Sequence, residues 1–288
     1  MIADFIASWA LFHNTYVVGW LISLVLALIG VLVVARDQIF IGAAVSQAST
    51  LGIALALWVG SWPALEGVHW LHTDVFLATM AVASSVIAAL LTAHGGATGK
   101  ESHEAITGWV FLVSASLSIL IVAHSPHGLD EIHRLLSSSI IGARPSDVWI
   151  FSALFSITAL TIYLYHRPIL LFSMDPATAA ATGVNVTLIS ILISAWLGLA
   201  VGLSIRVAGM LYTFGCLVLP ALVAKNACRE VRPMFLVAPA VAVATATTGF
   251  VLANHYDHPP AQLTVALLCL LLAMAWVLRW LGLVRPAA

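Results

Sequence analysis

The sequence predicts an all-α, polytopic integral membrane protein with about eight or nine transmembrane helices. Two observations predict this class. Hydrophobic residues fill 62% of the 288 positions, and Asp, Glu, Lys and Arg only 8%, where soluble domains carry about 25% charged residues. The apolar residues are also grouped into stretches of about 20, the length that crosses a hydrocarbon core of about 30 Å. A formal net charge of −1 offers no basic surface, so nucleic acid is not an expected partner. Cys216, Cys228 and Cys269 lie in or beside apolar runs without metal-type spacing, as packing residues do. No charge-rich linker or low-complexity tract divides the chain, and residues 1–288 read as a single transmembrane domain.

Nine stretches qualify as spans, at about 16–35, 39–60, 75–93, 105–124, 147–165, 187–203, 208–224, 233–253 and 261–279. Ahead of the first, residues 1–12 lack a positive n-region and read as a short amphipathic lead-in at the interface rather than a cleaved signal. The second span carries Gly42, Ser46, Gln47, Ser49, Thr50 and Gly52, a small and polar face suited to close helix packing or to lining a path. Gly209, Gly215 and Pro220 interrupt the seventh, and such breaks persist in a membrane only where protein or a cavity covers the freed backbone groups.

Orientation follows from the positive-inside rule. With the N-terminus outside and the C-terminus cytoplasmic, Arg36, Lys100, Arg167, Lys225, Arg229, Arg232, Arg279 and Arg285 fall inside. Only Arg134, Arg144 and Arg206 fall outside. This arrangement places one unusual segment, Asp175–Gly183, in the cytoplasm. Asp175 is a good N-cap. Pro176 occupies the first helical position, where its missing N–H costs nothing. Ala and Thr follow as far as Thr182, including Ala179 and Ala180, and Gly183 can adopt the left-handed turn that ends a helix. The segment is too small-sided to anchor in lipid. It reads either as a plain connection or as a grip for a soluble partner.

The outer connection from about His124 to Asp147 is long. Its centre, Ile132–Gly142, with His133 and Ser138, suits a short helix at the outer face that serves as a gate, and Pro145 stops it. His13, His69, His72, His124, His127, His133, His255 and His258 also fall outside. Two groups mix imidazole with carboxylate: Glu66, His69, His72 and Asp74, and then His255, Asp257 and His258. Imidazole is a common ligand for divalent metals, so the second group is a candidate for weak metal capture at the outer mouth. Polar outer loops use histidine for solvation as well. No P-loop, His-Glu-x-x-His or Gly-x-Ser-x-Gly string is present, so no nucleotide-binding or familiar catalytic motif sits on this chain.

The order of several strings resembles the permease subunits of the zinc/manganese/iron-type bacterial ABC importer family. They are Gly30-Val31-Leu32-Val33-Val34-Ala35-Arg36 running into Ile41–Ala48; Leu135–Ile141 ahead of Ser146-Asp147; Asp175-Pro176-Ala177 with Ala180 and Gly183-Val184; Val207–Leu211 leading to Leu217–Ala221; and Asp257–Ala261 opening the last span. The likeness extends across most of the chain. It implies an ATP-driven importer of divalent metal, as cargo rather than as a tightly bound cofactor. Separate ATPase subunits, an extracytoplasmic solute-binding protein and a second permease copy in a homodimer are the implied partners, and the bacterial inner membrane is the implied location. It also implies that Asp175–Gly183 is the coupling helix. No covalent chemistry is expected on this chain.

One departure is informative. Metal-carrying members resemble Gly-Asp-x-x-Ser-His-Ala early in the second span, but Ala43 and Gln47 stand where that pattern has Asp and His. Alanine has no donor and the glutamine amide is neutral. Ala43, Ser46, Gln47 and Thr50 are therefore expected to line a translocation path that holds a bare cation poorly. An importer of a chelated metal or small organic solute fits that expectation too. A membrane-embedded metalloenzyme built on the outer histidines is the alternative from another class.

Overall fold

The computed structural model describes residues 2–62, 69–97, 102–123 and 140–281. Regular structure among them is helical: α1 (Ile2–Ala35), α2 (Ile41–Gly60), α3 (Asp74–Ala97), α4 (His103–Ala123), α5 (Pro145–Met174), α6 (Pro176–Ala181), α7 (Val186–Ala227), α8 (Val231–Tyr256) and α9 (Pro260–Trp280). Short 3-10 turns occupy His69–His72 and Ile140–Gly142. Among the described residues, eight helices are long and apolar enough to cross a membrane. The six-residue α6 is not. The chain forms two compact units. One draws on Met1–Gln38, Ser139–Val186 and Leu211–Ala288, the other on Ile39–Ser138 and Thr187–Met210.

The first unit is built around α1. Val18, Ile22, Val25, Leu26, Ala27, Val31 and Val34 are fully buried, as a helix apolar on every face requires. Two glycines let its neighbours approach. A Cβ on Gly30 would stand 1.8 Å from the Leu217 carbonyl oxygen, and one on Gly19 would stand 2.4 Å from the Phe250 ring. Along α1, Gly19 accepts a hydrogen bond from the Tyr212 hydroxyl at 3.0 Å, Gly30 abuts Leu217, and Asp37 pairs with Lys225. Residues 211–227 therefore run parallel to α1.

The expected lead-in at residues 1–12 is not a separate element. Helix α1 continues from Ile2 to Ala35 without a break, because neither Gly nor Pro interrupts it before Gly19. Phe5 and Trp9 lie near Tyr16 instead, with ring centroids 4.6 and 5.9 Å from it.

In the second unit α2 packs on both α3 and α4. Ala44 and Ala48 of α2 meet Ala88 and Val110, and small side chains permit this close approach. Ser85 of α3 donates to the Gly198 carbonyl at 2.6 Å. A Cβ on Gly198 would meet Val86, and one on Gly202 would meet Val82. Residues 187–210 thus run antiparallel to α3.

Two long helices are broken where the sequence had placed span ends. In α5, Tyr165 leaves helical geometry (φ −108°, ψ 22°). Pro168, three residues later, has no N–H and its ring crowds the Leu164 carbonyl. The expected span 147–165 ends at this kink, and a short arm carries on to Met174. In α7, Gly209 is non-helical (φ 78°, ψ 169°). The stretches expected as separate spans, 187–203 and 208–224, are the two parts of α7 on either side of it. At 1.5 Å per residue, residues 186–208 extend about 35 Å and residues 210–227 about 27 Å, so each part approaches the span length. Gly215 and Pro220 do not end the helix. Gly215 instead admits Val265, which would lie 2.7 Å from an added Cβ.

Candidate translocation and docking sites

Helix α6 is assembled almost wholly by its own residues. Asp175 (φ −148°, ψ 93°) is its N-cap. The Asp175 Oδ1 accepts from the amides of Ala177 and Thr178 at 3.0 and 3.2 Å, and Oδ2 accepts from the Thr178 hydroxyl. These bonds satisfy donors that a helix start leaves orphaned. The Thr178 hydroxyl, and then its backbone amide, hold the Asp175 carboxyl below its usual range. At the other end Gly183 is left-handed (φ 85°). The amides of Gly183 and Val184 return to the carbonyls of Ala180 and Ala179 at 3.1 Å each, a Schellman closure. Asp175, Pro176, Ala180 and Gly183 are exposed, whereas Ala179 is fully buried. Of the two alanines in the segment expected to meet a partner, Ala180 faces outward and Ala179 is packed within the chain.

The arm that carries α6 meets the end of α1, and the ends of α1, α7 and α9 are joined by further polar pairs. The guanidinium of Arg36, the residue after α1, sits 4.5 Å from the centroid of the Phe172 ring. Asp37 Oδ1 accepts from Lys225 Nζ at 2.8 Å. Asn226 Oδ1 accepts from Arg279 at 3.3 Å. The sequence offered Arg36, Lys225 and Arg279 only as inside charges, and nothing in it linked Arg36 to the arm before α6.

On α2, Ala43 and Gln47 are partly open, one turn apart. Gln47 Nε2 donates to the Met210 thioether at 3.3 Å, a weak acceptor. The other two expected path residues are buried. Ser46 is fully buried and Thr50 nearly so, and the Thr50 hydroxyl donates to the Ser46 carbonyl of its own helix at 3.2 Å. The open edge therefore runs through Ala43, Gln47 and Leu51, at the four-residue spacing of one helix face. Met210 was not a candidate, because nothing near it in sequence links it to α2.

Of the expected gate residues, His133 and Ser138 lie outside the described residues. Gly142 ends the Ile140–Gly142 turn and is exposed. Glu66 lies outside the described residues as well. At the proposed metal group, Asp257 ends α8 in the left-handed region (φ 54°), and the His258 amide bonds to the Ala253 carbonyl at 3.0 Å. The His255 ring packs edge-on to Tyr256, with centroids 4.9 Å apart, and His258 stacks on the same ring at 6.4 Å. Among the described residues, no three His, Cys, Asp or Glu side chains come together as a metal site. The expectation that His255, Asp257 and His258 form such a group is corrected: the left-handed turn and the intervening tyrosine keep them from converging.

Among the described residues, eight helices of membrane-crossing length and composition define a polytopic membrane protein. The chain belongs to the ABC 3 transport family, whose family model matches residues 8–279. It is 24% identical to the manganese transport system membrane protein MntC of Halalkalibacterium halodurans, over 95% of this chain and 89% of that one. Identity with the chelated iron transport system membrane protein YfeD of Yersinia pestis is 22%, over 88% and 81% of the two chains. The fold matches that of PsaBC from Streptococcus pneumoniae, solved in complex with Fab, with a TM-score of 0.77 at 18% identity, covering 96% of this chain and 95% of that one. The protein is thus the membrane permease subunit of a bacterial ABC transport system, a multi-pass protein distinct from the ATPase.

Proposed function

We propose that this permease imports divalent metal ions such as manganese, iron or zinc by alternating access, driven by separate ATPase subunits and supplied by an extracytoplasmic binding protein. The family match over residues 8–279 carries this reading, and relatives named for manganese and chelated iron transport support the cargo class. Two permease copies would frame the path. The end of the first unit that bears Arg36, Lys225 and Arg279 is the cytoplasmic end, as the positive-inside rule requires. The capped helix α6 follows directly on the arm whose Phe172 meets Arg36, and it docks the ATPase. Nucleotide-driven motion of the ATPase then reaches the spans through α6.

A second reading, import of a chelated metal, is favoured by Ala43 and by Gln47, whose amide is engaged by Met210. Neither residue supplies the anionic or imidazole donor that strips a divalent ion of water. The test is ATP-dependent uptake into proteoliposomes holding the permease, its ATPase and its binding protein. The probes are manganese(II), zinc(II) and iron(II), each free and chelated. Uptake of a free ion supports the first reading, and uptake restricted to a chelate supports the second. ATP-dependent uptake of none of them overturns both.

A further inference from the structure

We infer that Arg36 is a positioning residue for α6, setting the docking helix through Phe172 and linking it to the ends of α1 and α7. The inference rests on the docking role of α6. Phe172 is buried, 1% exposed, and stands three residues before the Asp175 cap. It belongs to the arm that follows the Tyr165 kink, so the helical ladder of the α5 span does not by itself set the arm's direction. Something outside α5 must then fix its direction, and the Arg36 guanidinium over the Phe172 ring is such a contact. A planar cation stacked on an aromatic face fixes orientation as well as distance.

Arg36 is itself held at a defined place. Asp37 is left-handed (φ 52°). Its amide bonds to the Val34 carbonyl at 3.2 Å, and the Gln38 amide to the Val33 carbonyl at 3.0 Å. This is the same Schellman closure that ends α6. The side chain of Asp37 then reaches Lys225 at the end of α7. That pair is 48% and 79% exposed, so its contribution to stability is small. The registry of α1 and α7 is fixed by the packing of Gly30 on Leu217 and the Tyr212–Gly19 bond, and the turn that aims Arg36 at Phe172 is also the turn that meets α7. A shift of α1 or α7 along the membrane normal is thereby passed to the arm, and a push on α6 is passed back.

Reconstituted complexes with Arg36→Ala, Arg36→Lys and Phe172→Leu test this, read as ATP hydrolysed and as metal imported per ATP. The probe is whichever of manganese(II), zinc(II) and iron(II), free or chelated, the wild-type complex accumulates. The expected result for Arg36→Ala is normal co-purification of the ATPase and continued hydrolysis, with import per ATP lowered roughly threefold or more. Arg36→Lys recovers part of the loss, because it keeps the cation but not the plane. Phe172→Leu reproduces the Ala result with Arg36 intact. Import per ATP unchanged in both Arg36→Ala and Phe172→Leu overturns the inference. If Arg36→Ala does not assemble, Phe172→Leu decides alone. Ala180→Trp serves as the control for the docking role: if it leaves assembly and import untouched, the docking role falls, whereas a block by Ala180→Trp beside unchanged Arg36 variants removes only the positioning role.

Discussion

Helix α6 and the open edge of α2 are both small, polar departures from an apolar chain, yet they are held in opposite ways. The cap and closure of α6 come from bonds between residues two to five positions apart, from Asp175 to Ala177 and Thr178 and from Val184 back to Ala179. The edge of α2 is set by a partner 163 positions away, Met210. A surface helix that must meet a soluble partner gains from being preformed, since ordering it on contact would cost affinity. A path through the membrane must change its lining as the spans move, so contacts between distant segments suit it. On the roles proposed for them, the difference suits α6 to be a fixed handle and the α2 edge to be an adjustable lining.

The largest expected effect breaks the handle without touching the lining. Ala180 is exposed and Ala179 buried on the same two turns. Ala180→Trp is expected to abolish co-purification of the ATPase and ATP-driven uptake, while the permease remains folded and membrane-inserted. Pull-down of the ATPase and uptake into proteoliposomes check this. Retained co-purification would mean that the handle is not gripped at α6.

A smaller effect sharpens the account of the lining. Gln47→Leu removes the amide that engages Met210 and is expected to lower uptake several-fold with assembly intact. Ala43→Asp combined with Gln47→His places a carboxylate and an imidazole one turn apart on the open edge. Such a pair is a plausible start for a zinc site, and the variant is expected to retain zinc through purification where the wild type retains none. Elemental analysis of the two proteins decides it. Stoichiometric zinc or manganese in the wild type would show that this edge is not poor in ligands.

The same contrast in range explains what the sequence revealed. The start of α6 at Asp175 and Pro176 and its stop at Gly183 were legible because cap, first-turn proline and left-handed glycine act on immediate neighbours. The break at Gly209 was legible for the same reason, whereas Gly215 and Pro220, expected to interrupt the same span, leave the helix intact. The direction of Ala179 was not legible, because packing outside α6 decides it. Thr50 and Ser46 were expected beside Gln47 on the strength of helical spacing, but in the packing of α2 on α3 and α4 they are buried while Gln47 stays partly open. The left-handed ends at Asp37 and Asp257 were also unforeseen. Aspartate tolerates that region less commonly than glycine, and nothing local demanded it. At His255, Asp257 and His258, closeness in sequence suggested convergence that the Asp257 turn prevents.

The smallest effect concerns the cap of the handle, and it separates two roles of Asp175. If the residue serves only to seat the first turn, Asn should replace it, because the two cap about equally well and Ala does not. Asp175→Asn is then expected to keep most of the wild-type import per ATP, and Asp175→Ala to lose part of it. If the negative charge itself meets the ATPase, the two variants should fall together. Dependence on pH gives a second reading. The Thr178 hydroxyl and amide depress the Asp175 pKa, so the stabilisation is present above the ordinary aspartate range and is lost only as pH falls through the lower, folded value. Between about pH 6 and 8 the carboxyl stays ionised, and wild type and Asp175→Asn should show parallel pH profiles of import. A step in the wild-type profile that Asp175→Asn abolishes would mean that this carboxyl titrates in the working range, and that its bonds to Thr178 and Ala177 do not persist once the ATPase is docked.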